Sequence, residues 1–167
     1  KLPKGWDWLF TRDGNHFIGP EADAGRRIGF QEIAPNSEPR YFPGHREAIM
    51  AMALSPDGAI LATGADEPEA NIKLWEVPSF RLLGELPGHQ GPITALAFSP
   101  EGRTLASAAV DRTMRLWDVR AKKARRVFPG LSEDVWRVAF GTDRDGPKLF
   151  SGSSDGTIRR YSAETQE

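Results

Sequence analysis

The chain has 167 residues, 39% of them hydrophobic and 27% charged, with a formal net charge of −1 and no cysteine. That balance is globular and near neutral, which excludes a disordered chain and any global field drawing it to nucleic acid or an acidic membrane. The missing cysteine excludes disulfides, thiolate metal sites and cysteine nucleophiles, and no apolar run approaches the roughly 20 residues of a membrane span.

The chain begins Lys1-Leu2-Pro3-Lys4-Gly5, with neither an initiator Met nor a signal-peptide core, and reads as a cut into a longer chain or a processed end. Trp6-Asp7-Trp8-Leu9-Phe10 predicts a first strand, Asp13-Gly14 a turn, and Ile28-Gly29-Phe30-Gln31-Glu32-Ile33 a later strand. Gly44-His45 then opens a second unit, with a Ser55-Pro56-Asp57-Gly58 turn and an Ile72-Lys73-Leu74-Trp75-Glu76 strand. All three signals return. Gly88-His89 and Ser99-Pro100-Glu101-Gly102 lie 44 positions further on, and Met114-Arg115-Leu116-Trp117-Asp118 lies 42 further on.

The third unit shows the strand pattern most clearly. Ile93-Thr94-Ala95-Leu96-Ala97-Phe98 is a nearly continuous apolar run, as a strand buried on both faces requires. Thr104 to Ala108 forms a small-residue second strand, and Asp111-Arg112-Thr113 the next turn. Met114 to Val119 alternates as a half-buried third strand, and Ala124 to Phe128 forms a charged fourth. A weaker copy closes the chain through Ser151-Gly152-Ser153-Ser154-Asp155-Gly156 and Ile158 to Tyr161. Four short antiparallel strands per 42 to 44 residues predict an all-β, blade-by-blade propeller. The units fall at 1–43, 44–87, 88–129 and 130–167, and the last lacks its outer strand.

These elements in this order resemble the WD-repeat family of β-propellers, over residues 44–162 and more weakly over 1–43. The close, regular spacing resembles bacterial members in particular. The resemblance implies four strands per blade, the innermost lining a central channel, and rings usually of about seven blades. This chain is then an incomplete ring. The resemblance also implies a buried network of a His, a Ser or Thr, an Asp and a Trp in each blade. The third unit carries the whole set as His89, Ser107, Asp111 and Trp117. The second carries His45, Thr63 and Trp75, its acid displaced within the insertion Asp66-Glu67-Pro68-Glu69. The fourth carries Ser151 and Asp155, with Leu131 in place of the His and Tyr161 in place of the Trp. The first carries almost none of it, with Gln31 in the Trp position.

His89, Ser107 and Asp111 have the composition of a hydrolytic triad, in which a base activates the nucleophile and an acid orients the base. Ser107 falls in a buried apolar strand, however, so the network reading is preferred: buried polar groups must be satisfied. His16, His45 and His89 lie in different units without ligand spacing, so no metal and no cofactor is expected. The basic run Arg120, Lys122, Lys123, Arg125 and Arg126 reads as protection of an exposed strand edge, not a phosphate patch. The acidic insertion lacks the ligand count of a calcium loop and reads as a surface turn.

In the family, first-strand entries and second-turn tips face the surface where partners dock. That maps the candidate contact residues to Arg46, Met50, Glu67, Gln90, Thr94, Val110, Asp134 and Trp136. Trp136 fits either an interface anchor or packing against the neighbouring blade. The implied function is a non-enzymatic scaffold for protein partners, cytoplasmic, with no nucleic-acid or membrane partner. The alternative is a regulatory or sensing propeller region of a larger protein whose catalytic domain, such as a kinase or ATPase, lies elsewhere. Self-association or contact with further blades is expected from exposed apolar end faces.

Overall fold

The computed structural model describes residues 8–21, 24–129, 134–144 and 146–163. Its regular elements are strands in four antiparallel meanders. The first sheet holds β1 (Leu9–Phe10), β2 (His16–Pro20), β3 (Ile28–Glu32) and β4 (Arg40–Phe42). The second holds β5 (Ile49–Leu54), β6 (Ile60–Ala65), β7 (Ile72–Glu76) and β8 (Arg81–Leu86). The third holds β9 (Ile93–Phe98), β10 (Thr104–Ala109), β11 (Met114–Asp118) and β12 (Lys123–Phe128). The last holds β13 (Val135–Asp143), β14 (Gly146–Ser153) and β15 (Ile158–Ser162). Of the expected opening strand, Trp6 and Asp7 lie outside the described residues, as does Leu131.

Turn chemistry sets the meanders. In Ser55-Pro56-Asp57-Gly58 the Gly58 N–H donates to the Ser55 carbonyl at 2.8 Å, and Gly102 repeats the bond to Ser99 at 2.8 Å. Gly58 and Gly102 sit at φ 76° and 72°, in the left-handed region that favours glycine. The serine hydroxyls accept from the next strand, Ile60 N–H to Ser55 at 2.9 Å and Thr104 N–H to Ser99 at 3.1 Å. Each Ser therefore closes its own hairpin.

The sheets stack face to face, so the core lies between blades. Ile18, Ile28 and Phe30 of the first sheet pack on Ile49, Leu61 and Trp75 of the second. Ile72, Leu74 and Leu86 meet Ile93, Leu105 and Trp117. Met114, Leu116 and Phe128 meet Val135, Val138 and Leu149. The second strands are covered on both sides, which is why β10 is buried throughout and uses small residues. The innermost strands β5, β9 and β13 are successive neighbours. The four sheets do not close into a ring.

Candidate functional site

Two constellations recur: a buried polar chain inside the second and third sheets, and a rim at one end of the strands of the second, third and fourth.

In the third blade the Trp117 indole N–H donates to Ser107 Oγ at 2.8 Å, and His89 Nε2 lies 2.7 Å from the same oxygen. His89 Nδ1 lies 2.9 Å from Asp111 Oδ2. A carboxylate only accepts, so Nδ1 carries the proton and neutral Nε2 accepts from the serine hydroxyl. The chain therefore runs Trp117 to Ser107 to His89 to Asp111 with every donor matched. Asp111 Oδ2 also accepts the Gln90 N–H at 2.8 Å, and Oδ1 the Thr113 N–H and hydroxyl at 2.9 and 2.7 Å. Burial opposes ionisation of Asp111, but the Gln90, Thr113 and His89 hydrogen bonds hold it below its ordinary value. Burial pushes His89 below 6.5, although Asp111 pulls the other way. Ser107 is fully buried and already accepts the indole proton, so no substrate carbonyl can reach it. A hydrolytic role is incompatible with this placement.

The second blade repeats the chain. Trp75 donates to Thr63 at 2.8 Å, and His45 Nε2 lies 2.7 Å from Thr63 Oγ1. Its acid is Glu69. Glu69 Oε2 accepts the Arg46 N–H at 2.7 Å, as Asp111 accepts Gln90, and Oε1 lies 3.1 Å from His45 Nδ1. That approach is close enough for an ionic contact but misaligned for a hydrogen bond, leaving His45 Nδ1 without a bonded acceptor. Lys73 Nζ closes on Glu69 Oε1 at 2.8 Å and on the Gly44 carbonyl at 3.2 Å. Burial opposes the Glu69 charge, yet Lys73, the Arg46 N–H and His45 take its pKa down to about 2. Burial also lowers His45.

Glu69 was legible from another direction. Asp111 stands six positions before Trp117, and Glu69 stands six before Trp75. Counting back from the Trp absorbs the insertion, whereas counting forward from the Ser-Pro turn does not.

The fourth blade departs from expectation. Ser151 is buried, but Asp155 sits at the surface, where its Oδ1 accepts the Thr157 N–H at 2.8 Å and hydroxyl at 2.6 Å. Asp155 thus organises a turn and is not part of a buried chain. Tyr161 pairs with Leu149, as Trp117 pairs with Leu105, and its ring packs on Phe128 with centroids 5.1 Å apart. In the first blade Gln31 donates to the Ser37 carbonyl at 2.7 Å.

The rim is tied together by a repeating bond. Asp66 N–H donates to Ala48 O at 2.9 Å, Val110 N–H to Pro92 O at 3.0 Å, and Ser154 N–H to Asp134 O at 3.0 Å. Second-turn tips and first-strand entries therefore share one end of each sheet. At that entry each inner strand carries one extra residue opposite its partner: Met50 between Ile49 and Ala51, Thr94 between Ile93 and Ala95, Trp136 between Val135 and Arg137. A bulge re-aims its extra side chain. Met50 is 42% exposed, Trp136 47% and the neighbouring tip Val110 37%. Arg46, Glu67 and Gln90 are exposed and Asp134 is half-buried.

Thr94 is the correction. It is only 8% exposed, and its hydroxyl donates to the Val135 carbonyl of the next blade. The Thr94 hydroxyl finds an acceptor in the next blade, whereas Met50 and Trp136 at the equivalent positions are exposed. Thr94 links blades and is not open to a partner.

Among the described residues no group of three or more His, Asp or Glu is placed to hold a metal, and no helix is long and apolar enough to cross a membrane. The model of the WD domain, G-beta repeat, matches residues 36–76, 80–118 and 122–162. Its repeat begins near the outer strand of one blade and ends on the third strand of the next, so three matches span β4 through β15 and leave β1 to β3 unmatched. The chain is 31% identical over 121 residues to small ribosomal subunit protein RACK1y of Oryza sativa subsp. japonica, covering 70% of this chain and 35% of that protein. It is 43% identical over 56 residues to the guanine nucleotide-binding protein subunit beta of Zea mays, covering 33% of this chain and 14% of that protein. The beta-1 subunit of Nicotiana tabacum matches at 44% over 57 residues, 34% of this chain and 15% of that one. The expected likeness to bacterial members is not borne out, since these relatives are plant proteins. The chain spans about a third of the rice relative's length. With its fold, its repeated polar chains and matches over most of its length, the chain belongs to the WD40 repeat family.

Proposed function

We propose that this chain is a non-enzymatic platform for protein partners, acting in the cytoplasm, and that partners dock on the rim carrying Met50, Val110 and Trp136. The observation that carries the reading is the pair of exposed apolar side chains on equivalent bulges, Met50 and Trp136, at the same end of the sheets as the exposed tip residue Val110. Exposed large apolar side chains on a rigid frame cost solvation in the free state and favour association; a central Trp is a frequent interface anchor. Arg46, Glu67 and Gln90 supply a polar surround. The relatives' names support a chain that works by being bound, since they describe a protein of the small ribosomal subunit and a subunit of guanine nucleotide-binding proteins. The polar chains of the second and third blades are then supports for the rim. Asp111 and Glu69 bind the backbone N–H groups at the Gln90 and Arg46 entries, fixing the loops that lead into β9 and β5.

The test is affinity capture with the wild-type chain, a Met50→Ala/Trp136→Ala double variant, and Glu101→Ala at the other end of the sheets as control. Partners retained by the wild type and by Glu101→Ala should be lost from the double variant, with affinity at least about tenfold weaker. Equal retention by all three overturns the rim assignment.

A further inference from the structure

A second concave surface lies at the opposite end of the strands. Between the second and third sheets is a cleft of about 690 Å³, within the roughly 300–1,000 Å³ range of ligand pockets. Its floor is apolar: Ile60, Leu74, Leu83 and Val119. Its wall is basic: Arg103, Arg120 and Lys122.

The basic residues are not consumed by the fold. Asp118, the acid in the cleft, is engaged by Arg125 through Nε at 3.1 Å and by the Ala121 N–H at 2.7 Å. No carboxylate among the described residues lies within ion-pair distance of Arg103, Arg120 or Lys122. Nor is Lys122 a free surface lysine. It sits at φ 55°, and its aliphatic stem lies across Gly84 of the neighbouring blade; a Cβ on Gly84 would stand 2.6 Å from Lys122 Cδ. Gly84 therefore makes the groove in which Lys122 is laid down. Leu83 is aimed by a bulge as well. Trp75 pairs with Leu82 and Leu74 with Gly84, leaving Leu83 as the extra residue, packed toward the interblade core while Leu82 faces solvent.

We propose that this cleft binds an acidic peptide segment bearing an aliphatic side chain: the side chain enters the Ile60, Leu83 and Val119 floor, and flanking carboxylates pair with Arg103, Arg120 and Lys122. Charge complementarity selects the occupant. Three cations with no carboxylate partner among the described residues, set over an apolar floor, match an anionic amphipathic chain, and they repel a basic one. Nucleic acid fits less well, because no aromatic side chain lines the cleft to stack on a base. The site is separate from the rim, so it does not depend on the rim reading.

The test measures fluorescence anisotropy of a short fluorescein-labelled peptide alternating glutamate and leucine, added to the full 167-residue chain. Comparison probes are a glutamate–serine peptide, a lysine–leucine peptide and oligouridine. The glutamate–leucine peptide should bind, more weakly as salt rises, and each comparison probe at least about tenfold more weakly. Arg103→Glu/Lys122→Glu should weaken binding at least about tenfold, as should Leu83→Ser, while Trp136→Ala leaves it unchanged. The charge-reversal pair is exposed and leaves the core intact, so it reads binding even if Leu83→Ser impairs folding. No binding by the wild type, equal binding of the glutamate–serine peptide or of oligouridine, or undiminished binding by the charge-reversal pair overturns the proposal. So does loss of binding in Trp136→Ala.

Discussion

At the residue scale, the polar chains of the second and third blades hold two imidazoles and two carboxylates whose protonation is tied to the fold. Removing Asp111 takes away the 2.9 Å acceptor of buried His89 Nδ1, leaving it only the Thr113 hydroxyl at 3.2 Å, and also the acceptor of the Thr113 and Gln90 N–H groups. Asp111→Ala should therefore destabilise the chain by about 1–3 kcal/mol, the cost of unpaired buried donors, read as a fall in the urea midpoint; an unchanged midpoint refutes it. The same groups set a pH dependence. Burial holds His45 and His89 below their ordinary 6.5, so on unfolding they take up protons that the folded chain excludes. Stability then falls as pH drops below about 6.5. Glu69 is depressed from 4.5 to about 2 and Asp111 lies below 3.8. Their contribution is complete above the unfolded values and is lost as pH falls from about 4.5 toward 2. Urea midpoints should decline in two stages between neutral pH and pH 3. His89→Gln should flatten the upper stage; a midpoint level from pH 7 to about pH 5 contradicts the assignment.

At the element scale, interblade distance depends on small residues in the second strands. Gly64 of β6 faces Ile93 of β9, and a Cβ there would stand 2.4 Å from Ile93 Cγ2. The corresponding glycine of the last blade, Gly152, has as its nearest neighbour Arg137 Cβ at an ordinary 3.8 Å. Both positions lie at the same register, Gly64 opposite Ile72 and Gly152 opposite Ile158. Gly64→Ala should cost about 1–3 kcal/mol through overpacking, while Gly152→Ala should be tolerated. Thermal and urea denaturation of the two variants decide it: equal behaviour means that Ile93 yields freely and the interblade spacing is not set there.

For the whole molecule, one series of positions measures what each sheet covers. Ile28, Ile72 and Met114 open the third strands of the first three blades and are fully buried by the blade that follows. Ile158 opens the third strand of the last and is 80% exposed. Phe10 of the first sheet is 64% exposed. Uncovered apolar faces of this kind favour association. Sedimentation velocity of the 167-residue chain should show concentration-dependent self-association, reduced by Ile158→Lys. A single monomeric boundary at all concentrations argues that the end face is not adhesive.

The repeating unit and its turns can be read from the residues alone. Turn formation is local: Ser-Pro-x-Gly carries its own bond, its own positive-φ glycine and its own hydroxyl acceptor, so the meanders and their period are legible without coordinates. The His89, Ser107, Asp111 and Trp117 chain was implied by the resemblance to the WD-repeat family, whose motif this unit matches in full. Glu69 was obscured because the insertion changes the offset from the turn but not from Trp75. Accessibility was decided only by tertiary structure. Met50, Thr94 and Trp136 occupy one register position, yet Thr94 is sealed by a bond to the next blade and the other two face solvent. Ile158 and Ile72 are the same residue type in the same register, and the presence of a following sheet alone separates 80% exposure from complete burial. The cleft floored by Leu83 and walled by Lys122 belongs to neither blade's sequence, because it exists only where two sheets meet. Repeat patterning encodes what a strand does within its blade, and burial depends on what is stacked against it.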